Sequence, residues 1–419
     1  MTLEEYQRRI KQNYRWNFIW MTIDNMMFFF ILMGLSPYTV LPFYVRHFTQ
    51  SKIIFGLVPA IFILGNTLPQ PFMANFLKNR TDRKKYLMIS AFVQRFGILG
   101  FLLLSVLTPS LHLSNTVTIL IFFAMLALQN IASGFYIPTW IDFLGKTIPE
   151  NRGMLFGISN FLGGLLGIGI GWLLTYLLEQ FPFDQAMQVI FGITFVASMV
   201  SFVAILSWRE TIPPLNHYGF EQKKKNHLII AIRDANFARY LIWRCLLVIL
   251  EIAISFYALA ALDVLEISVA QVGVFTLVLA LSETILNPLW GWLGDKNGFL
   301  KITLIATIAG SLAALFAASA KSIGTYYLVF FLAGAMLSGL QISNFNIIYE
   351  FSPANMVPAY LAVSQFALSP LSGVMPFIGG AIAERFGYAK NFRIAGLAGM
   401  VIFLGMLFMV KDPKLKMRP

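Results

Sequence analysis

The stretch Gly291-Trp-Leu-Gly-Asp295-Lys296-Asn-Gly298-Phe-Leu-Lys301 is a short charged turn between two long apolar runs. The runs cover about residues 272–293 and 300–320, and each is long enough to cross a bilayer as a helix. A hairpin of two membrane helices needs a tight polar turn, and Gly298 supplies a permissive backbone there. The stretch therefore predicts a membrane protein whose helices are joined by short charged loops.

The same stretch resembles the loop signature of the major facilitator superfamily, G-x-L-a-D-[RK]-x-G-x-x-[KR], at every main position. The alternative is a generic charged membrane hairpin. The resemblance implies an all-α membrane protein with twelve transmembrane helices in two pseudo-symmetric six-helix bundles. The matching loop of the first half is degraded, because Ala74 replaces the first glycine and Lys78 or Asn79 stands where the family has aspartate.

Composition agrees with a lipid environment. Of the 419 residues, 58% are hydrophobic and 12% are charged, whereas soluble proteins carry about 25% charged residues. No cleavable signal peptide is visible, and the one cysteine, Cys245, permits neither a disulfide within the chain nor a cysteine-based metal site. Windows of about 20 apolar residues predict twelve spans, at residues 17–41, 53–77, 86–106, 117–143, 153–177, 187–207, 240–261, 272–293, 300–320, 324–349, 359–383 and 391–409.

The charge distribution predicts the orientation. The formal net charge is +12, and 23 of the 31 Lys and Arg residues fall in segments that are cytoplasmic if the N-terminus is inside. Six fall in the opposite loops, and Arg95 and Arg244 fall within spans. This asymmetry follows the positive-inside rule, so we expect both termini in the cytoplasm and no nucleic-acid partner.

An internal repeat predicts the domain organisation. Shifting the chain by 217 residues aligns Gly56 with Gly273 and Pro71 with Pro288, and Asn13 to Trp20 resembles Asn236 to Trp243 at a slightly different offset. Chance similarity among Leu- and Phe-rich helices is the alternative. Parallel repeats are typical of transporters, and they predict halves at 1–208 and 240–419 with a basic cytoplasmic linker at 209–239.

Ionisable residues within spans are candidate ion-coupling groups, since a charge at mid-bilayer needs a partner or a function. Asp24 and Arg95 lie about 13.5 and 15 Å deep by helical rise, so they can pair, either statically or as part of the coupling. Glu251 and Glu283 are each about 18 Å deep, and facing each other they would suit a proton carrier. Arg244 is nearer the surface and is expected to extend to the interface.

Polar residues at helical spacing form a candidate substrate cavity. The resemblance implies that the first, fourth, seventh and tenth helices line a central cavity, where amides and aromatic rings bind polar or amphipathic solutes. The same side chains can serve only to join helices. The candidate cavity residues are Gln129, Asn130, Ser133, Tyr136, Trp140, Gln341 and Asn344.

The loop signature is also a candidate cytoplasmic gate, comprising Gly291, Asp295, Lys296, Gly298 and Arg152. Pseudo-symmetry within the family implies that Asp295 faces the start of the fifth span, where Arg152 lies. A carboxylate there would be stabilised by the helix N-terminus and by the guanidinium.

Together these features predict a secondary transporter in the plasma (inner) membrane that moves a small molecule by alternating access, coupled to H⁺ rather than Na⁺, and acts as a monomer. The ending Trp208-Arg-Glu210-Thr211-Ile-Pro213 resembles that of exporters of drugs and metabolites, so export of amphipathic or metabolite-like compounds is expected. The alternatives are an importer of a sugar or similar nutrient, a lipid flippase and a non-transporting receptor. The four histidines lack metal-ligand spacing and no P-loop occurs, so we expect no enzyme, cofactor or metal site.

Overall fold

The computed structural model describes residues 3–77, 83–148, 152–211, 225–353 and 356–414, and for a few of these, Arg152 among them, the backbone only. The described residues form helices joined by short turns. The helices are α1 (Leu3–Gly34), α2 (Val40–Arg46), α3 (Lys52–Thr67), α4 (Gln70–Leu77), α5 (Lys84–Ser110), α6 (Asn115–Thr147), α7 (Arg152–Gln180), α8 (Phe183–Ser207), α9 (Lys225–Arg233), α10 (Ala235–Leu247), α11 (Glu251–Ile254), α12 (Tyr257–Leu265), α13 (Gln271–Asn297), α14 (Phe299–Ser319), α15 (Ile323–Phe351), α16 (Val357–Phe386) and α17 (Tyr388–Met409).

Within the described chain, twelve helical stretches are long and apolar enough to cross a membrane. The predicted all-α fold with twelve spans is therefore confirmed. The first span differs most from its predicted bounds, because α1 begins at Leu3 and already ends at Gly34, where a break separates it from the helix α2. Pro37 explains this break, since the residue before a proline is disfavoured in helical conformation.

The seventh span is discontinuous, which the sequence did not predict. It consists of α10, a 3₁₀ turn over Val248–Leu250, the four-residue helix α11 and then α12. The Asn391 side-chain amide donates to the carbonyl oxygens of Ile252, at 3.1 Å, and of Gly379, at 3.0 Å. A Cβ on Gly379 would lie 2.7 Å from the Ile252 oxygen. Helices α16 and α17 thus pack against the interruption and satisfy its backbone.

Contacts between Cα atoms divide the described chain into two compact units. The first unit comprises residues 3–36, 47–49, 61–77, 83–148 and 152–211. The second comprises residues 37–46, 50–60, 225–353 and 356–414. The short segments before and after residues 47–49 therefore group with the second unit. The halves at 1–208 and 240–419 and the linker at 209–239 stay a prediction.

In the first unit, α1 packs against α7 and α8, and α5 packs against α6 and α8. Helices α5 and α6 approach closely at Gly97, where a Cβ would lie 2.9 Å from the Cα of Gln129. A small residue at such a crossing lets two membrane helices come together. The crossing brings the polar face of α6 next to Arg95, which lies two residues before Gly97.

In the second unit, α14 packs against α15 and α17, and α13 packs against α15. The start of the seventh span is held by Asp234, whose carboxylate caps α10 and accepts a hydrogen bond from the Tyr360 hydroxyl at 3.0 Å. The ring of Phe237 lies 4.6 Å from that of Tyr360, and Tyr240 lies 5.1 Å from Phe351. These contacts fix where the seventh span enters the unit.

One asparagine in each unit makes the same pair of hydrogen bonds. Asn17 donates to the carbonyl oxygen of Arg209 at 3.0 Å and accepts from its backbone N–H at 2.9 Å. Asn236 does the same with Lys411, at 2.8 and 2.9 Å. The structural counterpart of Asn236 is therefore Asn17 and not Asn13, so the predicted alignment of this part of the repeat is wrong by four residues. Sequence similarity over eight residues misaligned the two asparagines, because the shared hydrogen bonds to the backbone depend on one side chain in each unit.

Candidate functional site

A buried polar network surrounds Asp24, which is 2% exposed on α1. Its Oδ2 accepts hydrogen bonds from the Tyr136 hydroxyl and the Trp140 indole N–H, each at 2.9 Å. Its Oδ1 accepts a hydrogen bond from the Ser201 hydroxyl at 2.6 Å. Tyr136 and Trp140 lie four residues apart on α6, so they share one helix face. Helices α1, α6 and α8 thus meet at one carboxyl group.

Arg95 completes this network from α5 and is 4% exposed. Its Nη2 donates to the Ser201 hydroxyl oxygen at 2.5 Å and lies 4.0 Å from Oδ1 of Asp24. Its Nη1 donates to Oε1 of Gln94 at 2.6 Å, and its Nε to the carbonyl oxygen of Ser198 at 3.3 Å. Ser201 therefore links the two charged groups, since its oxygen accepts from Arg95 while its O–H donates to Asp24.

This arrangement suits a carboxyl group that changes its protonation state. A buried charge is tolerated when it is hydrogen-bonded and compensated by an opposite charge. Asp24 has three neutral donors and a guanidinium nearby, so its charged form is supported. In its neutral form the carboxyl O–H becomes a donor, and the hydroxyl oxygen of Ser201 or Tyr136 can accept from it.

A narrow cavity opens beside the network and lies within the first unit. About 30 Å³ of it can hold the centres of water molecules, which is room for about two waters. The predicted cavity residues that line it are Gln129, Asn130, Ser133 and Tyr136. Trp140 meets the network through its hydrogen bond to Asp24 rather than through the cavity wall. Asp24 and Arg95 both line this cavity.

Three polar lining residues were not predicted from the sequence: Asn66, Gln94 and Ser201. Asn66 donates to the Ser133 hydroxyl at 3.3 Å. Gln94 directly precedes Arg95, so its amide was the one available signal. Ser201 gave none, because isolated serines in membrane helices commonly bond to their own backbone.

In the second unit, Arg244 is 6% exposed and donates from Nε to Oδ1 of Asn344 at 2.9 Å. The expectation that Arg244 extends to the membrane interface is therefore wrong. The side chain is held inside the unit by an amide on α15, which offers a partner closer than the interface. Gln341 lies three residues before Asn344 and is exposed.

Glu251 lies at the interruption of the seventh span, and its Oε1 accepts a hydrogen bond from the Ser372 hydroxyl at 3.2 Å. Arg244 is the charged group that acts on Glu251, and Glu283 is not among the described groups that do so. Both glutamates act electrostatically on Tyr38, in the turn between α1 and α2. Burial, together with the carboxylates of Glu251 and Glu283, raises the pKa of the Tyr38 hydroxyl well above its usual range. The Tyr38 hydroxyl therefore stays neutral.

The charged loop that carries the signature is held in the second unit by hydrogen bonds to its backbone. Gly298 has φ +96°, a conformation that glycine adopts without strain, and it separates α13 from α14. Both carboxylate oxygens of Glu350 accept from the Phe299 backbone N–H, at 3.2 and 3.1 Å. The Lys414 ammonium donates to the backbone carbonyl oxygen of Asp295.

The side chains of this loop remain accessible. Asp295 and Lys296 are exposed, and the Lys296 ammonium lies 5.4 Å from the centre of the Trp292 ring. Space beside Gly291 is open, because a Cβ there would meet nothing within 4 Å. The side chain of Arg152 lies outside the described residues, so the gate formed by Asp295 and Arg152 stays a prediction.

The corresponding region of the first unit is held by an ion pair and by hydrogen bonds to its backbone. Residues 78–82, which include Lys78 and Asn79, lie outside the described residues. Next to them, Arg83 forms an ion pair with Asp142 at 3.0 Å. The Glu210 carboxylate accepts from the backbone N–H groups of Arg83 and Lys84, at 3.1 and 3.2 Å. Glu210 thus caps α5 much as Glu350 caps α14.

Sequence comparison decides the family. The profile of the Major Facilitator Superfamily matches residues 23–265 and 235–419, which together cover most of the chain. The chain belongs to the major facilitator superfamily. Its loop signature, its twelve spans and the paired asparagine contacts all agree with that membership.

Relatives of this superfamily member include the "Uncharacterized MFS-type transporter YuxJ" of Bacillus subtilis (strain 168). It is 29% identical over 133 residues, which are 31% of this chain. The match spans about a third of the relative's own length, 33%.

Two solved structures share the fold. The nucleoside transporter NupG superimposes with a TM-score of 0.70 at 13% identity, covering 94% of this chain and 99% of that one. The D-xylose-proton symporter superimposes with a TM-score of 0.72 at 14% identity, covering 96% of this chain and 99% of that one. At such low identity these likenesses establish the fold alone. The family profile and the twelve apolar helices of the described chain make it a multi-pass membrane protein of that superfamily. The relatives named here are transporters rather than enzymes.

Proposed function

We propose that this superfamily member is a proton-coupled exporter of small amphipathic or metabolite-like solutes, located in the plasma (inner) membrane with both termini in the cytoplasm. The observation that carries the coupling is the buried network of Asp24, Ser201 and Arg95 beside a cavity that admits water. Glu251 and Glu283 are further coupling candidates, since both lie within spans of the second unit.

The contacts of Asp24 favour H⁺ over Na⁺ as the coupling ion. A sodium ion, like other hard cations, needs a site in which several oxygen atoms point their lone pairs at it. The groups around Asp24 point N–H and O–H donors at it instead, from Tyr136, Trp140 and Ser201. Arg95, at 4.0 Å, would repel a metal cation. A proton needs only a lone pair of the carboxylate itself, so H⁺ fits these contacts better than Na⁺ does.

The direction of transport and the orientation are proposed from the sequence. Orientation follows from the excess of Lys and Arg in one set of loops. Export follows from the ending of the sixth span, whose Glu210 also caps α5.

The experiment is solute transport in proteoliposomes that contain the parent protein and a pH-sensitive dye in the lumen. A panel of sugars, amino acids and cationic dyes is tested, each with and without an imposed pH gradient. We expect the imposed pH gradient to drive the movement of at least one solute. The lumenal pH should change as that solute moves.

The matched variants are Asp24→Asn and Asp184→Asn. Asp184 lies in the first turn of α8, in the same unit, and is more exposed than Asp24. Asp24→Asn should abolish proton movement, and Asp184→Asn should retain it. Proton-coupled transport that persists in Asp24→Asn would contradict the proposal.

A further inference from the structure

The interrupted seventh span carries two opposite charges on nearly one side. Arg244 and Glu251 are seven residues apart, about two helical turns or 10.5 Å of rise. Arg244 lies in α10, before the 3₁₀ turn Val248–Leu250, and Glu251 is the first residue of α11 after it. Discontinuous membrane helices recur at the binding sites of transporters. The pair therefore flanks a break in a membrane helix, a feature that the binding sites of transporters share.

Each of the two charged groups is held by one neutral partner. Nε of Arg244 donates to Oδ1 of Asn344 at 2.9 Å. Oε1 of Glu251 accepts from the Ser372 hydroxyl at 3.2 Å. These contacts come from α15 and α16, and they fix the directions of both side chains without neutralising either charge.

Each group also has one buried atom left over. Among the described residues, neither Nη1 of Arg244 nor Oε2 of Glu251 has a hydrogen-bond partner. Arg244 is 94% buried, and a buried polar atom without a partner costs free energy. The two groups act on each other electrostatically, yet they form none of the ion pairs within 4.0 Å in the described chain. Nη1 of Arg244, an unpartnered donor, and Oε2 of Glu251, an unpartnered acceptor, are therefore more than 4.0 Å apart.

We propose that Arg244 and Glu251 bind a small zwitterion, with its carboxylate on Nη1 of Arg244 and its protonated amine on Oε2 of Glu251. A guanidinium suits a carboxylate because its planar N–H groups form charge-assisted hydrogen bonds to it. A zwitterion supplies one group of each sign, so both charges are compensated and the net charge of the site does not change. A solute with one charge would leave the other group unpaired.

That this zwitterion is the transported solute rests on the proposed function, whereas its binding does not. Binding is tested on the full-length protein in detergent through the shift in thermal unfolding temperature. The probes are ω-amino acids from glycine to 6-aminohexanoate, with butyrate and n-butylamine as singly charged controls. We expect the shift to peak at one chain length and to exceed the shifts with both controls.

The variants are Arg244→Gln and Glu251→Gln. The matched controls are Arg239→Gln in α10 and Glu266→Gln directly after α12, both exposed. Each of the first two should weaken binding of the best ω-amino acid by about tenfold to a hundredfold, as for lost hydrogen bonds to charged groups. The controls should bind as the parent does. Arg244→Lys serves if Arg244→Gln does not fold, and its binding should also fall.

Three results would overturn the proposal: no peak along the series, binding of butyrate or butylamine as strong as that of the best zwitterion, or unchanged binding in Arg244→Gln. A Glu251→Gln variant that binds normally but no longer accumulates solute would assign Glu251 to ion coupling and also overturn it. Zwitterion binding without any transport would leave this site standing and would contradict the proposed function instead.

Discussion

Asp263 accepts hydrogen bonds on one oxygen from both Nε and Nη2 of Arg46, at 3.0 and 2.5 Å. Its other oxygen accepts from the Tyr388 hydroxyl at 2.8 Å. Arg46 ends α2, while Asp263 lies in α12, 217 residues further along the chain. Close by, the Glu384 carboxylate accepts from the Ser51 hydroxyl at 3.1 Å. Hydrogen bonds to charged groups thus join residues 37–46 and 50–60 to the rest of the second unit.

The Arg46–Asp263 pair should contribute a modest, salt-sensitive stabilisation. The two side chains are 25% and 26% exposed, and pairs that reach solvent are worth about 0.2–1 kcal/mol. A double-mutant cycle with Arg46→Gln and Asp263→Asn, measured by denaturation in mixed micelles, should give a coupling energy in that range that shrinks at high salt. A coupling energy that is absent at low salt would contradict the pairing.

Ser201 should be the positioning residue of the Asp24 network. Ser201→Ala removes the group that accepts from Arg95 and donates to Asp24, so the free energy of unfolding should fall by about 1.5–3 kcal/mol. The number of protons moved per solute should fall as well. Ser198→Ala is the matched control, because the Ser198 hydroxyl donates to Phe195 of its own helix and only its backbone contacts Arg95.

A control that loses as much proton coupling as Ser201→Ala would show that the effect comes from packing in α8. Equal coupling in both variants and the parent would show that Ser201 does not position Asp24. Only a loss confined to Ser201→Ala agrees with the network.

The paired asparagines should be equivalent anchors. Asn17→Ala and Asn236→Ala each remove two hydrogen bonds to a backbone amide, so each should lower the free energy of unfolding by about 1–3 kcal/mol. Asn13→Ala should have little effect, since Asn13 makes one exposed contact of 3.5 Å with Arg209. The reverse ranking of Asn13 and Asn17, again by denaturation in mixed micelles, would restore the alignment of Asn13 with Asn236.

Two glycines should respond in opposite ways to alanine. At Gly291 a Cβ meets nothing within 4 Å, so Gly291→Ala should keep or raise stability, by up to about 1 kcal/mol in a helix. At Gly379 a Cβ would meet the Ile252 carbonyl oxygen at 2.7 Å, and such overpacking costs about 1–3 kcal/mol. Gly379→Ala that unfolds at the same denaturant concentration as the parent would contradict the packing at the interruption.

Gly291→Ala also tests the proposed gate. If the variant is stable but transports slowly, the glycine serves a close approach that occurs during the cycle. Normal transport would remove Gly291 from the gate. The comparison needs both the stability measurement and the proteoliposome assay.

The sequence predicted the spans because a helix must be apolar over about 20 residues to cross a bilayer. Depth along the helices also placed Asp24 and Arg95 at one level, and the structure brings them to 4.0 Å. The interruption of the seventh span could not be predicted from the sequence. Its residues Val248 to Ser255 include neither glycine nor proline, the residues that usually signal a break in a helix. That break depends on Asn391 and Gly379, more than 100 residues away.

The polar partners were the harder part to predict. Tyr136 and Trp140 were found through their helical spacing, whereas Ser201 lies alone on another helix and carries no periodic signal. Arg244 was placed at the interface because its depth is shallow, but Asn344 provides a partner inside the unit. Pairings between helices distant in sequence depend on packing, which single-chain patterns do not encode.

The central claim is that Asp24 gains and loses the coupled proton. The most direct test is infrared difference spectroscopy of the protein in lipid during a pH titration, comparing the parent with Asp24→Asn. We predict a carboxylic C=O band that titrates in the parent within the pH range of transport, shifts when Ser201 is replaced by alanine, and is absent from Asp24→Asn. A parent and an Asp24→Asn variant with the same titrating bands would contradict the claim.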